Sequence, residues 1–327
     1  MLNTKKAPIA VAVLLVSAPS LGLANGYPVL QKYMEQSFAA SLLLTDSDVF
    51  TVGIKDFDPN EWFNLSNDDI GSEQSLSLRQ QIAVTTVPLT FDLDERADHQ
   101  LFTRFSIFAS TRDYQIRRQD REDYQEEYIL GGLIAYRYNM KLDEKWTLTP
   151  GIGVHLQYYS NEHDYKSDFS SDYIKPFLDD VLFNTDAWAV TANPHLKLKY
   201  HHDTQWGSWN FTSSVNYLYG YGFGQANYGD VGKPEGWYMA NGVNLYYDLT
   251  QIERSIQTVY TSLRRIDVGA DIRNPIGTSH YYEGSLGWLM TPPFKSDWID
   301  NVGIGLSLNY GSSLKGGSIV LFFNQTD

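Results

Sequence analysis

The chain of 327 residues contains no cysteine. Without thiols it has neither disulfides nor a lipid-modified cysteine, so its stability must come from a hydrogen-bonded fold. After residue 24 there is no long apolar run, and we expect no helical membrane anchor in the mature chain. Basic residues are too few to balance the acidic ones. The net charge of −14 is unfavourable for binding nucleic acid.

Residues 1–24 have the three regions of a secretory signal peptide. Lys5 and Lys6 supply positive charge, residues 7–16 are apolar, and Gly22-Leu23-Ala24 is a small-x-small cleavage site. We therefore predict export and removal of residues 1–24. An uncleaved helical anchor is the alternative interpretation.

Residues 146–159 alternate strictly between apolar and small or polar side chains. A period of two indicates a strand with one face away from water and the other face in contact with it. The apolar face begins at Trp146 and ends at Tyr158, and it is longer than most strands of globular proteins. Aromatic residues at both ends match the two interfaces of a bilayer. The pattern predicts a transmembrane β-strand.

The same pattern recurs along the chain and predicts twelve strands. They are expected at 49–57, 75–93, 101–111, 128–140, 146–159, 187–200, 209–219, 237–249, 255–272, 282–290, 302–310 and 316–323. Connections between them alternate between long acidic segments and short turns, as in bacterial outer-membrane barrels. We predict an all-β fold, a twelve-stranded antiparallel outer-membrane β-barrel with extracellular long loops and both termini in the periplasm. The weak first strand leaves counts of ten or eleven open, and a soluble β-sandwich is the alternative fold.

Residues 25–47 do not follow this alternation. Val29, Tyr33, Ala40 and Leu44 fall at roughly helical spacing, and Pro28 suits a first turn. The segment predicts a helix. The chain then divides into a signal peptide at 1–24, a helical segment at 25–47 and a barrel at 48–327.

This order of segments resembles the translocator β-domain of autotransporters over nearly the whole mature chain, although its motifs are loose patterns. The residues that match are Gln31–Thr45 as helix and 49–57 as first strand. The resemblance implies that the helix lies in the lumen, as a pore plug, and leads into that strand. Because little sequence precedes the helix, the chain resembles the solitary autotransporter-like barrels of gammaproteobacteria, which lack a passenger domain.

Barrels of this kind are inserted by a barrel assembly machinery that reads a glycine–apolar signal in the last strand. The residues that could form the signal are Gly316, Gly317, Val320, Phe322 and Phe323, with Gly316, Ile319 and Leu321 as the other possible register. One departure is that Asn-Gln-Thr-Asp follows Phe323. The usual ending for such proteins is an aromatic residue.

Four basic residues fall on the polar face of their expected strands, and they are Arg79, Arg104, Arg137 and Lys197. We predict that they form a basic wall facing the lumen. Charges inside a narrow barrel are usually paired. Possible partners are Glu35 and Asp46 near the helix and Glu283 across the lumen. The specific hypothesis is that this wall docks the helix. The alternative is a generic polar lining.

Catalytic patterns are weak. No histidine has the serine two residues later that an outer-membrane phospholipase uses. His163-Asp164 and Asp179-Asp180 supply the residue types of an omptin-like protease, but an acidic solvated loop explains them as well. His201-His202-Asp203 does not favour metal binding, since adjacent side chains on an extended chain point apart. We expect no catalytic residue, no bound metal and no cofactor.

The functional prediction is a non-catalytic plugged or gated pore, or a surface-exposed envelope protein, in the outer membrane of a Gram-negative bacterium. Its expected partners are outer-membrane lipids, lipopolysaccharide and the assembly machinery, with no nucleic acid. The alternatives are an open porin-like diffusion channel and a hydrolase at the rim.

Overall fold

The computed structural model describes residues 26–47, 49–51, 53–115, 120–294 and 299–325. The predicted signal peptide at 1–24 lies outside the described residues. The strands are β1 Lys55–Phe57, β2 Ile82–Asp92, β3 His99–Tyr114, β4 Asp123–Tyr138, β5 Met140–Lys141, β6 Trp146–Asp164, β7 Asp186–Thr204, β8 Gly207–Gly224, β9 Glu235–Ile252, β10 Ser255–Ala270, β11 His280–Met290, β12 Val302–Tyr310 and β13 Gly316–Phe323.

All strands belong to one antiparallel sheet, which confirms the predicted all-β antiparallel class. Its path runs from β1 through β13 and then backwards along the chain to β2, with the two-residue β5 paired only to β6. Long strands allow extended registers, such as the fourteen paired positions from Tyr124↔Asp164 to Arg137↔Gly151 between β4 and β6. Within the described residues no ladder joins β1 to β2.

The helices are α1 Pro28–Leu44, α2 Pro59–Phe63, α3 Glu73–Gln80, α4 Lys175–Leu178 and α5 Arg273–Ile276, with a π-helical turn at Ser170–Ile174 and a 3-10 turn at Ala226–Gly229. α1 lies inside the segment 25–47 for which the sequence predicts a helix, and Pro28 occupies its first turn. None of the helices in the described ranges is both long enough and apolar enough to cross a membrane.

The expectation of one strand over 75–93 is wrong in its first half, where α3 stands. Ser72 caps this helix by accepting a hydrogen bond from the Ser75 amide, and the Ser75 hydroxyl accepts one from the Ser72 amide. Glu73 in the first turn and Arg79 in the last turn suit the helix dipole. This local capping outweighs the alternating pattern. The first strand is likewise shorter than the expected 49–57, since β1 covers only its last three residues.

Side chains alternate between an inner face, which packs around α1, and an outer face. On the outer face large apolar side chains are exposed, for example Phe105 and Ile134, each with 63% of its surface accessible. Such extensive exposed apolar surface is unfavourable in water and suits lipid. At the start of β2, Ile82 packs against the core around α1.

Two groups of aromatic rings border the outer face. Near the short connections, Tyr200 lies between Trp146 and Trp209, at 4.9 and 5.0 Å between ring centroids. Near the long connections, Tyr158 and Trp188 lie 4.7 Å apart. Residues 146 and 158 of β6 are separated by roughly 40 Å along an extended strand, and a tilt of about 40° reduces this to a height of about 30 Å. This height matches the apolar thickness of a membrane.

The described chain begins and ends at opposite ends of the sheet. The Tyr27 amide donates to Asn227 in the long β8–β9 connection, at 2.7 Å. Gln325 instead bonds Asn301, at the end with the short turns. The expectation that both termini lie at the same end is therefore wrong for the described residues, because α1 runs from the long-connection end into the sheet.

Candidate functional site: the surface that holds α1

The second half of α1 is enclosed on every side. Seven consecutive residues, Phe38–Leu44, are all buried. Successive residues of a helix are rotated by 100°, so seven of them cover the whole circumference. A helix on a protein surface would expose one stripe. The sheet and its connections therefore surround this part of α1.

Two apolar clusters hold the buried half. Phe38 and Met34 pack with residues from β4, β6 and β7, and the Phe38 ring meets Tyr159 edge-on at 6.1 Å. Leu42 and Leu43 pack with residues from β9, β10 and β11. The second cluster comprises Ala39, Leu42, Leu43, Leu44, Val49, Phe50, Leu218, Tyr238, Ala240, Ile266, Val268, Ile272, Ile276, Tyr281 and Leu314. Because these strands lie far apart in the sheet, α1 joins its two halves.

Polar contacts fix the start of α1 at the long-connection end. Gln31 donates to Asp230 at 2.6 Å, and Lys32 pairs with Asp271. The Tyr33 hydroxyl donates to Glu127 on β4, a buried carboxylate that also accepts a hydrogen bond from Tyr159. Burial, together with the Glu127 charge, raises the pKa of Tyr33 well above its usual value, so Tyr33 remains a donor.

Gln157 on β6 anchors the middle of the helix. Its amide nitrogen donates to the Phe38 carbonyl at 3.2 Å and to the Ser41 hydroxyl at 2.8 Å. Glu127 and Gln157 were not singled out from the sequence. The alternating pattern does place both polar side chains on the inner face of long strands. Nothing in the neighbouring sequence distinguishes them from the other polar residues on that face.

Arg104 is the predicted basic residue that the structure brings to the helix segment. Its guanidinium lies 3.2 Å from Asp46, two residues beyond α1, and both side chains are largely buried. Asp46 also accepts a hydrogen bond from Tyr238 on β9, at 2.6 Å. The negative end of the α1 dipole points the same way, which favours a cation at this position.

The other three predicted basic residues have described neighbours elsewhere in the sheet. The Arg137 guanidinium lies 3.6 Å above the centre of the Phe102 ring. Lys197 lies on the inner side of β7, in register with Thr149. Arg79 belongs to α3, where it binds Asp56 of β1 at 3.0 Å, the Leu314 carbonyl and Ser318 of β13. Arg79 therefore links α3 to β1 and β13.

The two remaining predicted acidic partners have different neighbours. Glu35 bonds Lys32 and accepts from the Lys233 amide at 2.8 Å. Glu283 is buried on β11, accepts from the Thr51 amide at 3.0 Å, and lies 3.7 Å from Arg264. Neither residue reaches the predicted arginines. Glu283 instead holds the chain between α1 and β1.

The long connection 165–185 folds over the start of α1. Val181 and Leu182 pack with Leu30. The Asn227 amide donates to the Val181 carbonyl at 2.7 Å, which ties this connection to the one that holds Tyr27. Together they cover the α1 end of the inner face.

In the last strand, Val320 and Phe322 point inward and Leu321 and Phe323 point outward. The Phe322 ring lies against Gly287 and Gly305, where an added Cβ would come within 2.4 and 2.7 Å of it. Gly317 similarly makes room for the Phe57 ring on β1. Two of the apolar candidates for the assembly signal thus belong to the inner packing, and Phe323 to the outer surface.

The sequence-based catalytic candidates have the following described neighbours. His163 lies 3.7 Å from Asp123, whereas Asp179 bonds Asn184. His201 pairs with Asp203 at 3.0 Å in an exposed position. Across the described parts of the chain, no group of three or more histidine, aspartate and glutamate side chains is arranged to hold a metal ion.

A comparison with protein-family models finds a match. The family model described as "Solitary outer membrane autotransporter beta-barrel domain" matches residues 35–325. This range includes most of α1 and every strand of the sheet. No curated protein matches the chain.

Proposed function

The chain belongs to the solitary outer-membrane autotransporter β-barrel family, and from this premise we propose that it is a non-catalytic outer-membrane pore closed by its own N-terminal helix. The family assignment makes it a β-barrel of the Gram-negative outer membrane. The proposal adds that α1 fills the lumen and that its displacement opens a path through the barrel.

The enclosure of Phe38–Leu44 carries this proposal. A helix that touches both halves of the sheet blocks the space that a solute would cross. Its contacts combine apolar packing with ion pairs and hydrogen bonds at both ends.

We further propose that the barrel has twelve membrane strands, with β5 a short extension beside β6. The join between β1 and β2 would be held by α3, since Arg79 binds β1 and β13 while Gln81 continues into β2. The long connections would face the cell exterior and the short turns the periplasm, as in other bacterial barrels. In that orientation Tyr27 lies at the outer surface and Gln325 on the periplasmic side.

An open porin-like channel is the main alternative. It requires the helix to leave the lumen in the resting state. The rim hydrolase has less support, because His163 is buried and lies next to Asp123, with no nucleophile bonded to either ring nitrogen among the described residues. The family description names a β-barrel domain and no reaction.

Planar-bilayer conductance of refolded residues 25–327, compared with a version that lacks 25–47, tests the proposal. We expect the longer protein to be nearly closed and the truncated one to conduct. A second sample covers the case in which truncation prevents folding. It is the full-length Ser41→Cys/Gln157→Cys variant, in which a short bifunctional thiol reagent links the two introduced cysteines. The chain has no other cysteine that could compete for the reagent. Equal conductance of full-length and truncated barrels, or a linked variant that conducts, would favour the open channel.

A further inference from the structure

A small polar site lies on the inner face, between the aromatic group near the long connections and the end of the sheet. It is enclosed by β4, β6 and connection 165–185. Asp123, Gln125 and His163 line it, and each is more than nine-tenths buried. Gln125 and His163 are ladder partners, and Asp123 lies two residues before Gln125 on the same face. We infer that these three side chains bind one divalent cation of the zinc class. The inference does not depend on the plug.

Of the two carboxyl oxygens of buried Asp123, only one accepts hydrogen bonds from the described residues. Its Oδ1 accepts three hydrogen bonds, from the Lys166 and Ser167 amides at 2.8 and 3.0 Å and from the Ser170 hydroxyl at 3.0 Å. Its Oδ2 is buried and has no hydrogen-bond partner. In the described part of the chain, the His163 ring is the one basic group within 4.0 Å of it. A buried carboxylate oxygen without a donor or a cation is strongly unfavourable.

The spacing of His163 fits a shared ion better than a hydrogen bond. Its Nε2 lies 3.7 Å from Asp123 Oδ2, beyond hydrogen-bond range. Two ligands that each lie about 2.1 Å from a tetrahedral zinc ion are roughly 3.4 Å apart. The ring is fixed by stacking on Phe183, at 4.0 Å between centroids, and Nδ1 is buried without a partner. Metal ions bind the neutral form of an imidazole ring.

Gln125 supplies an oxygen to the same site. Its Nε2 donates to Glu127 at 2.9 Å, so the amide oxygen faces away from that carboxylate. The oxygen is buried and has no hydrogen-bond partner. Two oxygens and one imidazole nitrogen favour zinc-class ions over calcium or magnesium, which prefer oxygen ligands alone. Water would complete the coordination.

Such an ion would stabilise the cover over α1. Asp123 would hold it through Oδ2 while Oδ1 fixes the start of connection 165–185. Val181 and Leu182, later in that connection, pack with Leu30 of α1. Metal binding would therefore make connection 165–185 more rigid where it covers the start of α1.

Metal-stripped, refolded full-length protein should be titrated with Co²⁺ while its visible absorption is recorded, and then with Zn²⁺. We expect one Co²⁺ per chain, displaced by Zn²⁺. His163→Phe keeps the ring stacking and removes the ligand, so binding should weaken at least about tenfold. Gln125→Leu should also weaken binding. The matched control is Asp164→Asn, which alters an exposed neighbour of His163 and should bind like the original protein.

Heat-modified mobility in gel electrophoresis establishes that each variant is folded before titration. Folded protein that binds no Co²⁺, or a folded His163→Phe variant that binds it unchanged, would overturn the inference. In that case a buried water molecule occupies the site.

Discussion

Arg104 on β3 and Asp46 beyond the end of α1 form an ion pair of 3.2 Å that links the sheet to the helix segment. The two residues are brought together from different parts of the chain, and both side chains are largely shielded from water. Removing one partner of a buried ion pair typically destabilises a protein by about 3–5 kcal/mol. The pair is therefore a sensitive point at which to test whether α1 closes the barrel.

We predict that Arg104→Gln increases the open probability of the refolded barrel in planar bilayers, because Asp46 loses its counter-charge. Arg137→Gln is the matched control, since the Arg137 guanidinium stacks on the ring of Phe102 within the sheet. The double variant should behave like Arg104→Gln alone. Unchanged conductance in both Arg104 variants would contradict the docking role.

Tyr33→Phe removes the hydroxyl that donates to Glu127 while keeping the ring. Loss of a hydrogen bond to a buried charge should weaken docking of α1 by about 1.5–3 kcal/mol. The measurement is the labelling rate of a cysteine placed at buried Ala40, which needs the helix to move. If Tyr33→Phe leaves that rate unchanged, Tyr33 does not anchor the helix.

Phe38→Ala creates a cavity in the cluster formed by α1, β4, β6 and β7. Truncating a buried phenylalanine costs about 3–5 kcal/mol, so labelling at position 40 should become much faster. Val29→Ala, in the same helix but 55% exposed, should have little effect. Equal labelling rates in the two variants would show that the enclosed half of α1 does not hold it in place.

Arg79→Leu should lower stability without opening the pore. Its guanidinium joins α3 to Asp56 of β1 and to Ser318 at the start of β13. We expect a loss of about 3 kcal/mol in urea unfolding in lipid vesicles. Single-channel conductance of the folded fraction should stay at the closed level. An open folded barrel would instead assign Arg79 to the plug.

Gly305→Ala should impair folding, because a Cβ there would lie 2.2 Å from the Leu286 carbonyl and 2.7 Å from the Phe322 ring. Overpacking of this kind costs about 1–3 kcal/mol. Gly132→Ala is the control, since no atom lies within 4 Å of its added Cβ. Refolding yield in detergent should fall for the first variant only. Equal yields would show that Phe322 can move aside.

Much of the sheet could be predicted from the sequence. The strands expected at 302–310 and 316–323 coincide with β12 and β13, and the alternation in 146–159 identified the exposed apolar face of β6. Local pattern suffices there, because a period of two fixes which side chains share a face. The prediction from local pattern is wrong at residues 73–80, where serine capping produces a helix within an alternating segment.

The helix-docking surface could be predicted only in part. Arg104 and Asp46 were both named as candidates, but Glu283 and Glu35 bind other groups, and Glu127 and Gln157 went unnoticed. Which inner-face polar residue meets α1 depends on where the helix lies along the barrel. That position results from contacts between residues as distant as Tyr27 and Asn227.

The sequence by itself determined the alternating faces, the aromatic borders, the long and short connections and the presence of a helix near residue 30, because each follows from side-chain order along a short segment. Only the tertiary structure decided the direction of α1, the partner of each buried charge and the grouping of Asp123, Gln125 and His163. Those depend on register and on the curvature of the sheet, which bring together side chains that no local pattern relates.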